Sequence, residues 1–332
     1  MRNALMLAVG ITLIAGFTVL SRTVPSVFAQ EQVTGDWTAK VRETDKGRKL
    51  WLQINSQSPD GKNRWNSSSD YNLEDFAGFN PNANGNTQFS LNREAGNIVF
   101  TGLVSDGKGV GEFRFTSNPA YLTAMRNLGY DDIKSDRLFS LALHDVSTRF
   151  VQETKSWGFD KLPLDKLVSF RIFKVDGDFI RSMRELGFKD LSPDKLVAVK
   201  IHRVDKDFIA KAKAMGFNDL TLDNYITMSI HRIDEAYLKD MQALGFRDLP
   251  FNKLVSMKIH RIDGNFIREM NDLGFTNLPA DKLVSMRIHR VDGKFVKEMR
   301  EAGYNNLTAD ELIKLRIHGV DSAYIKRMKG VQ

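Results

Sequence analysis

The chemically versatile side chains of this 332-residue chain fall on a repeat. All six histidines, His144, His202, His231, His260, His289 and His318, share one phase of it, and His202 to His231 is one period of 29 residues. Phe173 fills the remaining place in the series. Imidazole ligates metals and changes charge near neutral pH, so the row offers a metal site, a pH sensor or a structural ladder. Packed helices stand roughly 8–10 Å apart, and equivalent histidines in neighbouring units inherit that separation. Two nitrogens on one zinc must lie within about 4 Å of each other, so the row does not close on a shared ion. The position two before the histidine varies among Lys, Ser and Arg from His202 to His318, is Ala142 before His144, and supplies no fixed second ligand. Each histidine falls near a helix C-terminus, three residues before the next helix cap, where a donor or a cation is favoured. The expected role is a structural ladder with a hydrogen bond between units. No metal and no cofactor is expected.

The next phase holds Arg203, Arg232, Arg261 and Arg290, with Lys174 before them and Gly319 after. Such a row pairs with acids at the next caps, such as Asp205 and Asp263, is simply solvated, or forms a cationic stripe for an anionic partner. These four arginines are the candidate binding residues.

The repeat itself dictates the elements that position both rows. In the unit from Asp263, an Asp N-cap precedes Phe266, Ile267, Met270 and Leu273 at helical spacing. Gly274 ends that helix in a left-handed C-cap, with Phe275 placed to fold back onto Met270. Leu278-Pro279 turns the chain, with proline in the first turn of a second helix. Leu283, Val284, Met286 and Ile288 then supply its apolar face. Ser192, Thr221 and Thr308 are caps of second helices in other units. The aromatics Phe266 and Phe275 have core spacing. Units begin at 118, 147, 176, 205, 234, 263 and 292, and a half unit begins at Asp321. Helices this short are unstable alone in water and need stacked neighbours, so residues 118–332 read as an α-solenoid. The half unit, rich in Lys326, Arg327 and Lys329, reads as a polar end cap.

Residues 30–117 read as a small antiparallel β domain capping the repeats. Gly35 to Val41, Leu50 to Ile54, Gln88 to Leu91, Ile98 to Leu103 and Gly111 to Phe115 carry strand patterns. Glu94 to Asn97 and Asp106 to Gly109 have hairpin-turn composition. Five to seven strands are expected, with Asn80 to Asn86 as a loop. The fold class is α+β, a β domain followed by 29-residue two-helix repeats. Trp37, Trp51 and Trp65 are either core or a stacking platform for sugar or peptide.

Arg2, the apolar run Ala4 to Leu20 and the small residues around Val27-Phe28-Ala29 have the layout of an export signal over residues 1–29. An uncleaved membrane anchor is the alternative, and the run is at the short end for a span. The protein is expected outside the cytoplasm, periplasmic or extracellular, with membrane association only if that segment stays attached. Cysteine is absent, which excludes disulfides and thiolate sites. The formal charge is +7, near +5 without the export segment. Residues 30–117 hold 10 basic and 11 acidic residues and the repeats 36 and 30. That bias is mild, and no nucleic-acid partner is expected.

Leu312-Ile313-Lys314-Leu315-Arg316-Ile317-His318-Gly319-Val320, followed by Asp321 and Tyr324, resembles repeats in the exported tails of beta-lactam-sensor-type membrane metallopeptidases. Gly35 to Ala39 and Arg93 to Gly96 resemble the β module that precedes such repeats. The resemblance covers about residues 35–332 and implies an extracytoplasmic accessory or sensing module. It carries no catalytic residue over, since no His-Glu-x-x-His occurs. Nucleophile-elbow, phosphate-loop and calcium-loop patterns are absent as well. The expected function is a non-enzymatic scaffold or sensing module in the cell envelope, bound to a protein or an anionic envelope component. The alternative is a glycan- or peptide-binding or enzymatic β domain (30–117) with the repeats as a spacer.

Overall fold

The computed structural model describes residues 33–45, 47–57, 64–328 and 330. The export segment expected at 1–29 and the cap residue Lys329 lie outside them. The chain forms two compact units, residues 1–148 and 149–332. Strands give way to helices after Ser117. The border between the compact units falls one hairpin later, because the first helix pair packs with the sheet.

The first unit holds β1 (Val33–Thr44), β2 (Gly47–Gln57), β3 (Arg64–Asn72), β4 (Phe76–Ala77), β5 (Gly85–Arg93), β6 (Gly96–Ser105) and β7 (Lys108–Ser117). They form one antiparallel, curled sheet in the order β3-β2-β1-β7-β6-β5-β4. Asp106 and Gly107, at φ 49° and 69°, make the tight turn between β6 and β7. Two successive positive φ values are what a hairpin with right-twisted strands requires.

Alternation puts Trp37, Leu52, Phe89, Phe100 and Phe113 inside. The Trp37 indole Nε1 donates to the carbonyls of Thr101 and Glu112, both at 3.1 Å. A side chain at Gly109 would meet that ring at 2.8 Å, so the glycine makes room for the largest core residue.

The sheet is closed on one side by the first hairpin, α1 (Pro119–Asn127) and α2 (Ser135–Leu143). Phe139 of α2 stacks on Phe113 of β7, with centroids 5.1 Å apart and planes at 9°. Arg93 donates to Asp75 at 2.9 Å and lies 3.7 Å from Asp145, just past α2.

The second unit is repeated helical hairpins. Its first helices are α3 (Thr148–Ser156), α5 (Gly177–Glu185), α7 (Lys206–Ala214), α9 (Glu235–Ala243), α11 (Gly264–Asp272) and α13 (Gly293–Glu301). Its second helices are α4 (Leu164–Phe173), α6 (Pro193–Ile201), α8 (Leu222–Ile230), α10 (Phe251–Ile259), α12 (Ala280–Ile288) and α14 (Ala309–Ile317), and α15 (Ser322–Met328) is the half unit. Counterparts one unit apart pack together, as α4 with α6, α10 with α12, α12 with α14 and α13 with α15.

Every first helix from α5 to α13 starts on an Asp N-cap, whose carboxylate accepts from the third amide of the helix at 2.8–2.9 Å. Ser192, Thr221 and Thr308 cap second helices in the same way. Pro163, Pro250 and Pro279 occupy the N-cap position itself, one residue before the first turn expected for Pro279. Gly274 and Phe275 donate to Asn271 and Met270, both at 2.9 Å, which is the Schellman closure. Phe266 is 2% exposed, whereas Phe275 is only half-buried, so the core reading holds for the first of these phases.

Candidate functional site

The second helices also end in Schellman closures, and these place the histidine and arginine rows. His202, His231, His260 and His289 are the C-caps of α6, α8, α10 and α12. Their backbone N–H groups donate to the carbonyl four residues back, at 3.0–3.1 Å. The residue after each takes the left-handed conformation, with φ 53° at Arg203, 52° at Arg232, 56° at Arg261 and 57° at Arg290. Val204, Ile233, Ile262 and Val291 then turn inward, each at most 2% exposed.

This conformation is costly for any residue with a Cβ, by about 1–2 kcal/mol. Glycine fills the equivalent position of every first helix, and Gly319 does so after α14. The chain instead holds Asp145, Lys174 and then four arginines there in succession. The guanidinium groups of Arg203, Arg232, Arg261 and Arg290 are exposed and form no ion pair or hydrogen bond among the described residues. Asp205 and Asp263, the acids closest in sequence, are engaged by the amides of Phe208 and Phe266.

The imidazoles depart from expectation. His202, His231, His260 and His289 are half-buried and His318 exposed, and their side chains make no hydrogen bond among the described residues. The join between units is made by neighbours. Ser229 Oγ donates to the His202 carbonyl at 2.6 Å, and Arg287 Nη2 and Arg316 Nε donate to the Arg261 and Arg290 carbonyls at 3.3 and 3.1 Å.

Those donors belong to the variable phase two before each histidine, which sequence reasoning set aside. Arg171, Lys200, Lys258, Arg287 and Arg316 each stand over the aromatic ring of their own first helix, at 3.9–5.2 Å from its centroid. The available signal was a cation 21 residues after each aromatic. Where Ser229 replaces the cation, the ring of Phe208 is half-exposed, while Phe179, Tyr237, Phe266 and Phe295 are buried.

The opposite ends of the second helices carry a different ladder. Lys166 pairs with Asp194, Lys195 with Asp223, Lys253 with Asp281 at 2.6 Å, and Lys282 with Asp310. The Asp194 carboxylate holds Lys166 above its usual range. Asn224 and Asn252 replace both members of the pair that would lie between the second and third of these, so no charge is left over. From α6 to α12, one end of the second helices is therefore neutralised from unit to unit, and the other presents an arginine that is unpaired among the described residues.

Ile288 was expected in the core and is not. Leu283 and Met286 are buried to 1% and 0%, while Ile288 is 53% exposed. At 3.6 residues per turn it lies about 200° around the helix from Met286. The same outward place is taken by Ile172, Ile201, Ile230, Ile259 and Ile317, at 46–55% exposure.

The tryptophans are occupied within the first unit. Trp37 is core, Arg42 covers the ring of Trp51 at 4.5 Å, and Trp65 meets Phe139 edge-on at 5.3 Å. Among the described residues, no three His, Cys, Asp or Glu side chains gather where they could hold a metal ion. A cavity of about 290 Å³ beside Trp157, Arg184 and Leu196 has its guanidinium spent on the Trp157 carbonyl at 2.7 Å. Comparison with protein-family models, curated proteins and solved structures found no match. The resemblance to peptidase repeat tails thus stands on the sequence motifs alone.

Proposed function

We propose that this protein is a non-catalytic repeat scaffold of the cell envelope. Its helical unit presents Arg203, Arg232, Arg261 and Arg290 to an anionic partner. Placement in the envelope rests on the composition of residues 1–29. The observation that carries the binding reading is the left-handed backbone at four successive arginines whose side chains have no partner among the described residues. The closure works with glycine, as it does at Gly319, so the backbone gains nothing from arginine. Strain retained where the fold does not need it points to use of the side chain.

A polyphosphate support tests this reading with the full chain. Arg232→Gln, Arg261→Gln and Arg290→Gln together are expected to lower the salt concentration of elution. Lys195→Gln, Lys253→Gln and Lys282→Gln make the same change in net charge within the ion-pair ladder, and shift elution less. Equal shifts for the two triple variants would mean that only overall charge is sensed, and would reject the arginine row as a site.

A further inference from the structure

The exposed isoleucines run beside the arginines. Ile201, Ile230, Ile259, Ile288 and Ile317 are the last residues of their helices, and in the first four of these units an exposed arginine follows two residues on. An isolated exposed isoleucine calls for no explanation. A periodic series of them, each about half exposed, is an apolar row at one repeat phase and marks a candidate interaction surface.

Three considerations choose the occupant. First, the edge repeats Ile-His-Arg in four successive units. A protein partner of unique sequence would meet different side chains at each unit, whereas a chemically uniform partner would meet the same ones. Second, two copies of this chain facing each other through the edge would set arginine against arginine, so the charge opposes self-association. Third, a soluble polyanion satisfies the arginines and leaves the isoleucines in water. An anionic bilayer supplies phosphates at its surface and hydrocarbon just beneath, which is the combination that interfacial segments exploit.

We infer that the Ile–Arg edge of the repeats docks on an anionic lipid bilayer, with the isoleucines entering the interfacial layer and the arginines on lipid phosphates. This rests on the anion-binding reading above and adds the lipid surface as its partner. Docking is peripheral: no helix among the described residues is long and apolar enough to cross a membrane.

The absence of native cysteine allows a single reporter. The full chain carrying Ile259→Cys is labelled with an environment-sensitive dye and mixed with phosphatidylcholine vesicles, with and without phosphatidylglycerol. A blue shift is expected only with the anionic lipid. A dye at Asn252→Cys, at the other end of the same helix, is expected to report no shift. Because each dye reads its own surroundings, the apolar run at residues 4–20 does not confound the comparison.

Sedimentation with the same vesicles measures partitioning. Arg232→Gln, Arg261→Gln and Arg290→Gln together should lower it by about two orders of magnitude at low ionic strength. Ile230→Ser, Ile259→Ser and Ile288→Ser together should abolish the blue shift of a dye at Ile201→Cys. All positions are on the surface, and circular dichroism checks that each variant folds. No shift at residue 259 on anionic vesicles overturns the bilayer proposal. If polyphosphate retention still depends on the arginines in that case, the anion-binding reading survives and the partner is a soluble polyanion or an acidic protein. Loss of arginine dependence on both probes overturns both.

Discussion

The guanidinium of Arg287 lies 3.9 Å from the centroid of the Phe266 ring, 21 residues earlier in the same hairpin. From there its Nη2 donates to the carbonyl of Arg261 in the preceding unit. One side chain thus ties the two helices of its own hairpin and holds the left-handed residue of the hairpin before. Replacing Arg287 with methionine keeps an apolar stem and removes both interactions. A cation–π contact and a hydrogen bond at a half-buried site together amount to about 1–2 kcal/mol. The denaturant midpoint should fall accordingly, and an unchanged midpoint would mean that the stem alone holds the join.

In the first unit Gly109 packs directly against the indole of Trp37. A Cβ there meets the indole at 2.8 Å and Val104 at 2.9 Å. Gly109→Ala should cost about 1–3 kcal/mol, the usual penalty for overpacking a filled core. Tryptophan fluorescence should report a displaced indole along with the lower stability.

Tyr237 gives an alkaline signature. Burial pushes its phenol up to about 12, above the value near 10 of an unfolded chain. The folded state therefore resists ionisation. The stability this contributes is fully present below pH 10 and is lost as pH rises from there through about 12. Tyr237→Phe removes the titrating group, so the variant should lose less stability than the wild type across that window. Parallel pH profiles for the two would contradict the assignment.

The repeat was legible because its punctuation is local. Asp263 and its equivalents, Gly274 and the Phe275 fold-back are each decided by the few backbone groups beside them, and the structure shows the expected bonds. The strand Arg64–Asn72 was not legible. It is an edge strand bonded on one side only, and its Ser67-Ser68-Ser69 run carries no alternation of apolar and polar residues. The direction of Ile288 was misread for a related reason. Apolar spacing alone admits the stripe Val284–Ile288, whereas packing against the neighbouring units selects Leu283 and Met286. The cation row at Arg171 to Arg316 escaped notice because lysine, serine and arginine alternate in it. Its partner rings lie 21 residues away, beyond the reach of local patterns. The histidines drew attention by their rarity, yet their closure role is carried by the backbone.

The arginine row serves a partner and not the fold. Arg232→Gly, Arg261→Gly and Arg290→Gly together test it in one protein. Relief of the left-handed strain is worth about 1–2 kcal/mol per site, and the added chain entropy of glycine takes back about 0.5–1. The expected unfolding free energy equals or exceeds that of the wild type, by up to about 1.5 kcal/mol per site, together with loss of polyphosphate retention. As a reference for the backbone term, Gly245→Ala, at φ 92° with open space around it, should lose on the order of 1 kcal/mol. A triple glycine variant that is less stable than the wild type and still bound to polyphosphate would contradict the account.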